Sequence, residues 1–163
     1  MGILARLGFR GREMSTPATP ASGERALYAK TTGWYEKDSA GVERLLTHAI
    51  EAYVFSVVGT VTVATGKSRI YLEGNYTVET IAAAVNTAPT GAALTCDINK
   101  NGTTIFTTPG NRPSIAVSTF YDGNNVPDIT TYAPGDYLSV DVDQIGSTVA
   151  GADLTVTVRL RRN

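Results

Sequence analysis

Three stretches of this chain alternate apolar and polar residues with a period of two, and no other feature constrains its fold as strongly. Leu138, Val140 and Val142 alternate with Ser139, Asp141 and Asp143. Leu154, Val156, Val158 and Leu160 alternate with Thr155, Thr157, Arg159 and Arg161, and Leu94, Cys96 and Ile98 with Thr95, Asp97 and Asn99. Successive side chains of a strand point to opposite faces, so the pattern predicts antiparallel sheets with one face on a core and the other polar. Val57, Val61 and Val63 form a further candidate strand, and Ile70 with Leu72 another. Val78–Val85 fits a helical turn or a strand. It is assigned as a strand, because its neighbours are strands and Asn86-Thr87-Ala88-Pro89 ends it as a turn.

Turn chemistry agrees with that pattern. Asn101-Gly102 stands between two strand-like runs, the strongest short hairpin signal. Ala88-Pro89-Thr90-Gly91, Thr108–Pro113, Asp122-Gly123-Asn124-Asn125 and Ala133-Pro134-Gly135-Asp136 break the remaining runs. Roughly eight strands at spacings of about 8–12 residues predict an all-β fold, an antiparallel β-sandwich of jelly-roll-like form. At 163 residues the chain is long enough for one such domain and an arm.

Three zones are expected. Residues 1–23 form an extended N-terminal arm. It carries Arg6, Arg10 and Arg12 and then Ser15-Thr16-Pro17-Ala18-Thr19-Pro20, whose prolines oppose helix. A plain solvated tail, or a start at Met14, accounts for the same composition. Residues 24–51 read as a linker hairpin, with Leu27-Tyr28 and Trp34-Tyr35 flanking a turn at Thr31-Thr32-Gly33. A lone hairpin is marginal in water, so Tyr28, Trp34 and Tyr35 need something to pack on: the main domain, a sister subunit or another protein. Residues 52–163 are the sandwich.

Little in the chain points to catalysis. The single histidine, His48, cannot build a zinc site alone. The single cysteine, Cys96, excludes an intrachain disulfide and reads as a small buried hydrophobe. Asp141 and Asp143 share a strand face. Solvation of that face outweighs calcium binding, and calcium outweighs a catalytic pair. Gly66-Lys67-Ser68 mimics the tail of a phosphate loop but lacks the earlier glycine. From residue 52 onward seven Lys/Arg face nine Asp/Glu, so no basic stripe predicts nucleic-acid binding. No apolar run is long enough to span a bilayer, and the opening residues lack the order of a signal peptide. The expectation is a non-enzymatic binding module without cofactor or metal, assembled in the cytosol, with neither nucleic acid nor membrane as partner.

The run Val85–Phe106 resembles a domain that recurs in virion proteins of tailed bacteriophages. So do Asn111-Arg112-Pro113-Ser114-Ile115, Ala133–Ser147 and the final Asp153–Val158. Pro20–Leu46 is similar to a linker hairpin of the same proteins, Leu-Tyr-x-Lys followed by Gly-x-Tyr-x-Lys-Asp, here Leu27–Lys30 and Gly33–Asp38. The resemblance covers about Pro17 to Asn163. It implies a jelly-roll-like sandwich, usually homotrimeric, on the outside of a virion, and no enzyme activity. The family includes head-decoration and head-fibre proteins and tail or collar fibres. In the first role the partner is the phage major capsid protein, met through Arg6, Arg10 and Arg12 and the aromatic residues Tyr28, Trp34 and Tyr35. In the second, a loop such as Phe120–Asn125 meets a host glycan or protein.

Overall fold

The computed structural model describes residues 16–30, 33–46, 50–66 and 68–163. Thirteen strands lie among them: β1 Arg25–Lys30, β2 Gly33–Asp38, β3 Glu43–Leu45, β4 Ile50–Thr60, β5 Ile70–Tyr71, β6 Tyr76–Ala84, β7 Leu94–Lys100, β8 Thr103–Thr104, β9 Ser114–Ile115, β10 Tyr121–Asn125, β11 Thr131–Tyr132, β12 Tyr137–Gln144 and β13 Ala152–Arg162. One 3₁₀ turn, Pro109–Asn111, interrupts them. Contacts within the chain divide it into two units, residues 1–48 and 49–163.

The first unit is a meander, β1–β2–β3, all antiparallel. The expected hairpin is therefore extended by a third strand. Asp38 makes this happen. Its Oδ1 accepts the Ala40 and Val42 N–H groups at 3.0 and 2.9 Å, which folds Ser39-Ala40-Gly41 back and delivers Glu43 opposite Lys37. Those backbone donors hold the Asp38 carboxyl below its ordinary range.

The second unit is a sandwich of two antiparallel sheets. One runs β10–β6–β13–β4 with β11 also on β6; the other runs β5–β12–β7–β8 with β9 also on β7. The pairings nest: β4 with β13, β5 with β12, β6 with β10 and β7 with β9. One long antiparallel ribbon, rolled so that its partners alternate between two sheets, gives that nesting. The fold is the expected all-β sandwich, with the strand order of a jelly roll.

A single core lies between the sheets. β13 gives it Leu154, Val156, Val158 and Leu160, and β6 gives Val78, Ile81 and Ala83. Leu94, Cys96 and Ile98 of β7 and Leu138 and Val142 of β12 face them. Each fully buried aliphatic side chain of this kind contributes roughly 1.5–3 kcal/mol. Ile105, Phe106 and Ile115, all buried, join the same core.

Two details differ from expectation. The strand expected around Val57, Val61 and Val63 is instead Ile50–Thr60. Gly59, at φ +82°, ends its regular pairing, leaving Val61 buried and Val63 exposed beyond the strand. The polar face of β7 and β12 is also less solvated than alternation implies: Asp97, Asn99 and Ser139 are buried. Arg112 and Thr104 close over Asp97, and the Gly66 N–H reaches the Asp141 carboxylate at 2.5 Å.

Candidate interaction surfaces

The aromatic residues of the meander divide between its two faces. Tyr28 stands directly opposite Tyr35, and their rings stack with centroids 5.9 Å apart. Lys30 lies over both rings, 5.6 and 4.8 Å from the centroids, and its Nζ donates to Glu43 Oε2 at 2.6 Å. Hydrogen bonding between this pair raises the lysine pKa and lowers that of Glu43. Burial first, and Glu43 second, push the Tyr28 phenol upward. Lys37 Nζ donates to the Pro17 carbonyl at 2.9 Å, tying the end of the arm to the same unit. Tyr28 is thus interior to the meander, only 3% exposed.

Trp34 belongs to the other face. It pairs with Ala29, next to the Leu27–Glu36 pair, and is half-buried, while Leu27 is exposed. Glu36 on this face carries ion pairs with Arg25 and Arg44. Sequence reasoning singled out Trp34 but not Leu27. Register alone places them together, because a strand pair aligns Leu27 and Ala29 with Glu36 and Trp34. Arg6, Arg10, Arg12 and His48 lie outside the described residues.

In the sandwich, the carboxylates of Asp97, Asp141 and Asp143 make contacts within the fold. Arg112 bridges two strands, with Nη2 3.2 Å from Asp97 Oδ2 and Nη1 2.9 Å from Asp143 Oδ2. Burial raises the Asp97 pKa, while the Thr104 hydroxyl at 2.8 Å and Arg112 oppose it. The guanidinium takes Asp143 and the Gly66 N–H takes Asp141, so the two acids singled out in the sequence serve separate local contacts. The Cys96 thiol, buried in the core, is pushed up to about 12 by desolvation, which removes the thiolate that reactivity needs.

The segment Phe120–Asn125 is mostly β10, an edge of its sheet. Asp122 accepts the Ser114 N–H at 2.7 Å and the Asn125 amide at 3.1 Å, and Asn125 also donates to the Ile81 carbonyl at 3.3 Å. These polar groups hold the edge in place. Phe120 and Tyr121 are left exposed beside them. On the opposite edge, β4 exposes Ile50, Val54 and Val58. A cleft of about 300 Å³ runs beside it, lined by Val54, Phe55, Ser56 and Val57 and by Ala64 and Ile70 across from them.

No family model matches the chain, and no curated protein matches it. Among solved structures, a chain of the cyanophage Pam1 capsid asymmetric unit aligns with a TM-score of 0.46 at 13% identity, over 90% of this chain and 99% of that one.

Proposed function

We propose that this protein is a non-enzymatic structural component of a tailed-phage virion, a decoration or head-fibre protein on the capsid exterior. In this role its partner is the major capsid protein, met by the N-terminal segment with Arg6, Arg10 and Arg12 and by the Leu27–Trp34 face of the meander. One observation carries the proposal: the residues of the virion-like motifs serve architecture. Tyr28, Lys30 and Tyr35 build the closed face of the meander, Asp38 caps its turn, and Asn101-Gly102 and Pro134-Gly135-Asp136 turn the sandwich strands. Particles assembled with the R6E/R10E/R12E chain should lose this protein while the chain keeps its β-rich circular dichroism. Full occupancy by that variant would rule out attachment through the basic arm.

The exposed pair Phe120 and Tyr121 favours a second role, a tail or collar module touching a host glycan or protein. Copy number separates the two. Quantitative mass spectrometry of purified particles should find hundreds of copies for decoration and a handful for a tail module.

A further inference from the structure

The β4 strand is a long sheet edge that the described residues leave open. It spans Ile50–Thr60 and pairs with β13 on one side, and among the described residues no strand pairs with its other side. Natural edges are usually guarded by Lys, Pro, bulges or shortness, because unpaired N–H and C=O groups accept another strand. Between Ile50 and Val58 there is no Lys, Arg or Pro. The one charge, Glu51, is already held by the hydroxyls of Tyr53 at 2.7 Å and Tyr76 at 3.1 Å. The outward side chains are Ile50, Ala52, Val54, Ser56 and Val58, with Ile50 63%, Val54 51% and Val58 91% exposed. The neighbouring cleft, lined by Val54–Val57 together with Val142, Leu154 and Val156 of the core, opens between the two sheets at this edge.

Length and register say what fits there. Among the described residues the other edge strands of the sandwich are short: β5, β8, β9 and β11 have two residues each, and β10 has five with an irregular register. In the meander, β1 has six residues and carries Arg25 and Lys30 at its ends. Only β4 matches β4. Gly59, at φ +82°, bends the chain and limits the usable stretch to Ile50–Val58, whose midpoint is Val54. An antiparallel pair must keep outward residues opposite outward ones, so registers that slip by one are excluded. Centred on Val54, the pairing sets Ile50 opposite Val58, Ala52 opposite Ser56, and Val54 opposite itself. Large apolar residues meet large, and small meet small.

We infer that two copies of this protein join through their β4 strands, antiparallel across a two-fold axis at Val54, into one continuous sheet. Such a contact is self-complementary, as a two-fold interface must be, and backbone hydrogen bonds supply much of its affinity. This does not depend on the virion role, and it departs from the three-fold assembly that the resemblance implies.

Sedimentation velocity of the full chain should give a two-copy mass, and V54K should reduce it to one copy while the chain keeps its β-rich circular dichroism, since Val54 is half exposed. Cross-linking tests the register. Under mild oxidant V54C should form a covalent dimer, because directly opposed residues lie within disulfide reach. V58C should not, because its two copies would lie about 26 Å apart along the paired strands. The I50C/V58C double variant should restore the cross-link. The buried Cys96 does not interfere. A one-copy or three-copy mass, a V54K chain that stays paired, or equal cross-linking by V54C and V58C would each overturn the inference.

Discussion

The carboxylate of Asp136 accepts the Ala133 N–H at 2.8 Å and the Asn101 amide at 2.6 Å, and pairs with Lys100 at 2.9 Å. Asn101 in turn accepts the Tyr137 N–H at 2.9 Å, so two turns distant in sequence are locked by one acid. The backbone donor contributes most, followed by Asn101 and Lys100, and together they lower the pKa of Asp136 from 3.8 to about 2. A depressed folded-state pKa means stability that is present above the unfolded value and lost as pH falls through the folded one. The wild-type chain should therefore lose part of its margin between about pH 4 and pH 2. D136N should melt at a lower temperature at pH 7 and show a flatter acid limb across that window in calorimetry. An acid limb unchanged by D136N would remove this group from the acid sensitivity. Such a contact is invisible to composition, since Ala133-Pro134-Gly135-Asp136 reads only as a turn. Its partner lies 35 residues away and is found through the fold.

At the scale of elements, legibility followed solvent. β7, β12 and β13 each present one face to the core, so their side chains alternate and the strands are plain in the sequence. β4 carries Ile, Val and Ala outward as well as Tyr53, Phe55 and Val57 inward. With both faces apolar the period-two signal disappears, which is why the strand was expected several residues too late. The Asp97–Arg112–Asp143 bridge was likewise hidden, because Arg112 leaves a loop to cross two strands. The Asn101-Gly102 turn was legible outright. Both residues take left-handed backbone, at φ +53° and +83°, and Asn and Gly are the residues that tolerate it. A side chain at Gly102 would be strained there, and its Cβ would also lie 3.3 Å from the Tyr137 hydroxyl. G102A should cost about 1–2 kcal/mol. The urea midpoint should fall with the slope of the transition unchanged. An unshifted midpoint would show that the hairpin does not need that conformation.

At the scale of the whole molecule, the nested wind makes the last strand of the sandwich the partner of its first: Arg161 of β13 pairs with Ile50 of β4, and β13 also pairs with β6. That sheet cannot close until β13 is made and docks between β6 and β4. Loop closure over such separations precedes the contacts that reward it, so refolding belongs in the millisecond-to-second range of non-local β folds. Stopped-flow circular dichroism should show this, and sub-millisecond recovery of the full signal would contradict it.

The adjacency of Ile50 and Arg161 has a mechanical consequence. Tension applied between the two ends of the sandwich enters at the same end of the β4–β13 ladder. It falls on one rung at a time and peels the strands apart as a zipper opens. Tension carried by the first end alone leaves that ladder slack. A chain held only from the N-terminal side of the sandwich therefore keeps this sheet without load, whereas one pulled from both ends would open from that seam first.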